Sequence, residues 1–225
     1  MNKYYVATAI AVLFHVIGFI GILFFRREYF IESSQINLIL MFILLLYTQK
    51  EINAAFIGFF LISFTLGLAA EMIGTNTGWL FGNYSYGNAL GYKINNVPLI
   101  IGLNWVVIIY CSGITTQVFL NKFLDKLTAK TGNPRPSLKA LSVIVDGATL
   151  ALLFDWIMEP VAIKLGFWTW AGDGNTPFFN YFCWFLLSIL LLTCFHFTHF
   201  NKHNKFAVNL LLIQLMFFLL LRTFL

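Results

Sequence analysis

An all-α, polytopic membrane helix bundle is the fold that the sequence predicts, and three observations carry it. Of the 225 residues 60% are apolar and only 10% are charged, far from the balance of a soluble domain. The apolar residues gather into windows of the length that a bilayer crossing needs, roughly 20 residues each, and about seven such windows fit. Little chain is left between them, so a single polytopic domain over residues 1–225 is expected.

In order, Tyr4–Phe25 is long enough to span, is followed by Arg26 and Arg27, and lacks a small-residue cleavage site. It reads as a membrane helix, not a removable signal. Ile36–Thr48 offers only 13 residues, a length at which a re-entrant segment competes with a span. Extending it over Tyr29–Gln35 brings in Glu32. The bundle therefore has seven spans, or six if this segment is re-entrant. The remaining windows are Ala54–Ile73, Val97–Phe119, Leu138–Met158, Phe178–Phe197 and Phe206–Leu221.

With seven spans, the N-terminus and the second, fourth and sixth loops hold nine of the 14 Lys and Arg residues, among them Lys50, Lys126, Lys130, Arg135 and Lys202. The positive-inside rule then puts the N-terminus in the cytoplasm, with the chain in the cell membrane. The basic stretch 121–139 reads as a topology signal in contact with lipid headgroups, not a nucleic-acid site, and the net charge of +5 needs no nucleic-acid partner. Cys111, Cys183 and Cys194 all fall within apolar runs and form no C-x-x-C pair, which suits small core residues.

Residues 71–98, EMIGTNTGWLFGNYSYGNALGYKINNVP, stand apart from these apolar runs. Glycines in G-x-x-x-G spacing are interleaved with Trp79, Phe81, Tyr84, Tyr86 and Tyr92. Glu71 opens the stretch at the C-terminal end of a membrane helix, where the helix dipole and poor hydration both disfavour the ionised form. A carboxylic acid beside a wall of aromatic rings is a candidate proton donor to an apolar substrate.

The fifth helix holds a second constellation, because Asp146, Asp155 and Glu159 lie on one apolar run, and acids at membrane depth are functional by default. Asp155 and Glu159 share a helical face, while Asp146 lies roughly 13 Å deeper and nearly half a turn away. Pro160 is expected to end the helix at Glu159. The two regions echo one another: Glu71 precedes Gly78-Trp79 as Glu159 precedes Gly166-Phe167, and each leads into aromatics, Trp168 and Trp170 in the second case. The third and fifth helices run the same way, so both clusters are expected on one face of the bilayer. Asn180, Tyr181 and Trp184 join them from the sixth helix.

His196, His199 and His203 have the spacing H-x-x-H-x-x-x-H, which on a continuous helix would align three imidazoles for a metal. The cluster belongs to the opposite end of the sixth helix from the acids, and four histidines in all are about half of what membrane di-iron hydroxylases need. No metal site is expected; these read as interfacial residues.

The run EMIGTNTGWLFGNYSY (71–86), with Leu90-Gly91, Val97-Pro98, Trp105, Glu159-Pro160-Val161-Ala162, Gly166, Trp168, Trp170, Pro177, Asn180-Tyr181 and Trp184, resembles the integral-membrane carotenoid biosynthesis proteins that include the CruF-type carotenoid 1,2-hydratases. The resemblance covers residues 71–184. It implies cofactor-independent hydration of the terminal C1,C2 double bond of a ψ end group, as in γ-carotene, lycopene or a bacterioruberin precursor. The partners it implies are the carotenoid, the lipid bilayer and other carotenoid pathway enzymes. That chemistry needs a proton for C2, a stabilised tertiary cation at C1 and a base that delivers water. Glu71 or Glu159 suits the acid and Asp155 the base, while Trp79, Tyr84, Trp168 and Trp170 suit the cation. Two readings stay open beside it: a lycopene-type cyclase using the same protonation, and a proton-coupled carrier that leaves its substrate unchanged.

Overall fold

The computed structural model describes residues 2–131 and 136–225. Arg135 and the side chains of Lys126 and Lys130, counted above toward the basic loop, lie outside the described part. Seven helical segments among the described residues are long and apolar enough to cross a membrane, and the chain is an all-α integral membrane bundle. Helix α1 (Lys3–Phe24) starts where Asn2 accepts the Tyr4 amide at 3.1 Å. The second span is a broken one, α2 (Arg27–Glu32) followed by α3 (Ser34–Thr48). The Ser33 hydroxyl and amide both bond to the Tyr29 carbonyl, at 2.7 and 3.0 Å. Together the two pieces make a 22-residue crossing, with Glu32 exposed.

Helix α4 (Ala54–Thr77) outruns its expected end at Ile73 for a local reason. Thr75, Asn76 and Thr77 turn their side chains back onto the carbonyls of Glu71, Met72 and Ile73, at 3.0, 2.7 and 2.6 Å. Gly78, at φ +69°, then closes the helix in the left-handed conformation that glycine adopts without cost. Strands β1 (Tyr84–Tyr86), β2 (Lys93–Ile94) and β3 (Val97–Pro98) follow. The β2–β3 hairpin turns on Asn95-Asn96, both at positive φ, which asparagine tolerates. Val97 and Pro98 are thus strand residues, and the next helix begins later than the apolar pattern indicates.

Helix α5 (Ile100–Thr131) is the most buried of the seven spans and packs against α3, α4, α6, α7 and α8. Helix α6 (Pro136–Lys164) corrects a second expectation, for it runs through Pro160 instead of ending at Glu159. Proline cannot donate to the carbonyl of Trp156 four residues back. Arg222 supplies the missing donor at 3.4 Å and stacks its guanidinium 4.6 Å from the Trp156 ring centre. After β4 (Trp168–Trp170), helices α7 (Phe178–Phe197) and α8 (Lys205–Phe224) complete the bundle, α7 against α6 and α8 against α1.

Strand β4 pairs antiparallel with β1, Tyr84 opposite Trp170 and Tyr86 opposite Trp168. Backbone bonds from Gly87 to Phe167 and from Ala171 to Asn83 extend the ladder at both ends. The loops that follow α4 and α6 are therefore joined at one end of the bundle, as the matching direction of the two helices requires.

Candidate active site

Three carboxylic acids lie just beneath this two-stranded cap. Glu71, Asp155 and Glu159 are 4%, 0% and 2% exposed, so none is solvated from the bulk. Glu71 occupies a face of α4 from which side chains have been cleared, since Gly67 and Gly74 are its neighbours four before and three after. A Cβ on Gly67 would stand 2.5 Å from the Trp105 ring, and one on Gly74 would stand 2.9 Å from the Tyr84 hydroxyl. The two glycines admit the very groups that bind the acid. The Trp105 indole donates to Glu71 Oε1 at 3.0 Å, while the Tyr84 and Tyr86 hydroxyls both donate to Oε2, the latter at 2.8 Å. Burial first, and the Glu71 carboxylate second, push both phenols well above their usual range, which keeps them protonated donors.

Glu159 is held by the other strand. The Trp168 and Trp170 indoles each donate to its Oε2 at 3.1 Å, and the Thr176 hydroxyl joins them at 2.9 Å. An indole N–H can only donate, so Oε2 is fixed as an acceptor and any proton on this acid belongs to Oε1. Asp155, one turn earlier on α6, accepts from the Asn180 amide through Oδ2 at 3.0 Å, and its Oδ1 is buried without a hydrogen-bond partner among the described residues. The echo between the two acidic regions is thus structural as well: each glutamate is gripped by aromatic donors from the strand that follows its own helix.

All three acids line one cavity of about 20 Å³, the size that holds a single water molecule. Phe81, Trp170 and Trp184 contribute to its aromatic wall. Trp184 stacks on Trp105 with ring centres 3.9 Å apart. Phe81 is held at φ +63°, a region that disfavours bulky side chains, and is buried between Tyr84 and Trp105. A second cavity of about 520 Å³ lies against the first, and Ile101, Asn104, Met158 and Trp168 belong to both linings. The larger space is bounded mainly by apolar side chains of α1, α2, α3, α5, α6 and α8 and is of the size of small-molecule pockets.

Most of the residues singled out from the sequence converge here: Glu71, Asp155, Glu159, Phe81, Tyr84, Tyr86, Trp105, Trp168, Trp170, Asn180 and Trp184. Two do not. Asp146 is exposed on α6 and accepts from the Ser142 hydroxyl one turn away, so its position on the helix takes it out of the cavity. Trp79 is 78% exposed, because the chain turns outward at Gly78. The histidines fare similarly. Helix α7 ends at Phe197, which leaves His199 and His203 beyond it and breaks the single helical face their spacing suggested. Among the described residues no group of His, Cys, Asp or Glu is arranged to hold a metal. Thr176 and Asn104 were not foreseen. Thr176 carries no signal in its loop sequence, whereas Asn104, an amide in an apolar run beside Trp105, offered one.

Residues 33–225 match the family described as carotenoid biosynthesis protein. No curated protein and no solved structure matches the chain significantly. The family match takes in the whole lining of the smaller cavity, both paired strands and every helix from α3 onward, and the chain belongs to the carotenoid biosynthesis protein family.

Proposed function

We propose that the protein is a carotenoid 1,2-hydratase that adds water across the terminal double bond of an acyclic ψ end group. The observation that carries this reading is the pairing of a water-sized cavity, ringed by three carboxylic acids, with a larger apolar cavity that suits a polyene. The end group would pass the shared wall at Met158 and Trp168 to reach the acids. Glu159 gives the proton on Oε1 to C2, and the double bond's electrons form the new C–H bond. The positive charge left on tertiary C1 faces Trp168, Trp170 and Tyr84; a desolvated cation–π contact contributes about 2 kcal/mol.

The water in the small cavity then attacks C1, and Asp155 takes its proton on Oδ1, with Asn180 holding the other oxygen. Passing that proton from Asp155 to Glu159, four residues on along the same helical face, restores the starting state. The net change is alkene plus water to tertiary alcohol, with no electrons transferred. Glu71 has both oxygens engaged by donors and acts as the anchor for the aromatic wall. A cyclase would quench the same cation with a neighbouring double bond and has no use for a water site beside Asp155.

The test is turnover of lycopene or γ-carotene by the purified protein in nanodiscs, without oxygen, in ¹⁸O-labelled water. A product heavier by one labelled water is expected. An isomeric ring product, or turnover that occurs only once molecular oxygen is admitted, would overturn the reading.

A further inference from the structure

The larger cavity is not uniformly apolar. On its α1–α8 wall stand His15 and Gln214, 5% and 8% exposed, in the middle of their respective spans. His15 packs edge-on against Phe217, one turn from Gln214, with ring centres 5.2 Å apart. Its Nδ1 lies 2.7 Å from the Ala11 carbonyl, an oxygen that can only accept. Nδ1 therefore carries the hydrogen, and Nε2 of the neutral ring is a lone-pair acceptor. Gln214 Oε1 is buried with no partner among the described residues. An unmatched amide oxygen in an apolar wall costs about 1–3 kcal/mol. A core with no polar occupant would be more stable with leucine there. No carboxylate or ammonium group is found among the described residues of this lining, so an ionic ligand has no counterpart.

We propose that His15 and Gln214 form a hydroxyl-recognition subsite, and that the cavity takes a long apolar terpenoid already carrying a hydroxyl group in preference to the parent hydrocarbon. Two acceptors on residues of one cavity wall call for an O–H donor, and the Gln214 amide hydrogens can return a bond to the same oxygen. The subsite belongs to the larger cavity alone, whereas Asp155 and Glu159 line the smaller one, so the hydroxyl it reads is taken to be distinct from the one formed at the acids. This inference rests on the carotenoid hydratase reading for its ligand class, but binding tests it without turnover.

The protein in phosphatidylcholine nanodiscs is titrated with lycopene and with its monohydroxylated derivative, and quenching of tryptophan fluorescence by the polyene reports occupancy. Wild type is expected to bind the hydroxylated pigment about tenfold more tightly, the effect of one buried hydrogen bond. In Gln214→Leu and in His15→Phe that preference should fall below about threefold while lycopene binding is kept. Equal binding of the two pigments by wild type overturns the subsite whatever the variants do, and is the result expected if water alone satisfies these groups. A preference that survives both substitutions also overturns it. Hydration assayed on the same samples separates the two proposals: a hydroxyl preference without hydration keeps the subsite and sinks the reaction.

Discussion

The amide of Asn180 donates to Asp155 Oδ2 at 3.0 Å, and the other oxygen of the same carboxylate is buried with no hydrogen-bond partner among the described residues. One oxygen is fixed by α7 and the other is left for a ligand in the water-sized cavity. An orphaned acceptor of this kind is costly in a finished core, which makes it the best single marker of where the proposed reaction would take its water.

If Asp155 is the base, Asp155→Asn should lower hydration by about 10²- to 10⁴-fold, the range typical of an acid–base group. Asn180→Ala leaves the carboxylate intact but unheld. Its loss should be smaller, about ten- to a hundredfold, as for one hydrogen bond to a charged group. Steady-state rates in nanodiscs at matched protein levels measure both. Equal losses would mean that Asn180 touches the substrate itself.

Glu159 and Glu71 differ in what their partners leave free. Three donors converge on one oxygen of Glu159, whereas Glu71 has donors on both. Glu159→Gln should therefore abolish proton delivery, with a rate loss of about 10²- to 10⁴-fold.

In Glu71→Gln the amide oxygen still accepts from Trp105 and the NH₂ donates to the tyrosine oxygens, so the wall is kept. Activity is expected to stay within about tenfold of wild type, as for the loss of a single neutral hydrogen bond. A deeper loss in a variant of normal thermal stability would transfer the acid role to Glu71. His199→Ala, at the far end of α7, should leave hydration unchanged.

The number of spans and most of the acids and aromatic residues that line the small cavity were legible because each is written locally: hydrophobic length gives the helix, and a carboxylate in an apolar run gives a candidate for burial. The boundaries were not. The end of α4 depends on three side chains folding back onto its own carbonyls, and the start of α5 on a two-residue hairpin. Asp146 and Asp155 look alike in sequence, and only their directions around α6 separate an exposed acid from a buried one. The β1–β4 pairing, which gathers the aromatic donors over both glutamates, joins residues more than 80 apart. Strands of three residues have no periodicity to read.

Pro160 was expected to end α6, and the reason it does not is a partner from the last helix, more than 60 residues away. The Trp156 carbonyl, denied its usual amide by Pro160, takes a donor from Arg222, whose guanidinium also covers the Trp156 ring. These contacts are exposed, so Arg222→Leu should destabilise by only about 1–2 kcal/mol, one hydrogen bond and one surface cation–π contact. Pro160→Ala restores the helical amide and gives that carbonyl a donor of its own. In the Pro160→Ala background the hydrogen-bond share of the Arg222→Leu cost should disappear, leaving a coupling above about 0.5 kcal/mol in a double-mutant cycle on reversible unfolding in detergent. Because the same turn of α6 carries Asp155 and Glu159, hydration by Arg222→Leu should fall along with stability and recover in the double variant. Strict additivity of the two substitutions would show that α6 continues through Pro160 without help from α8.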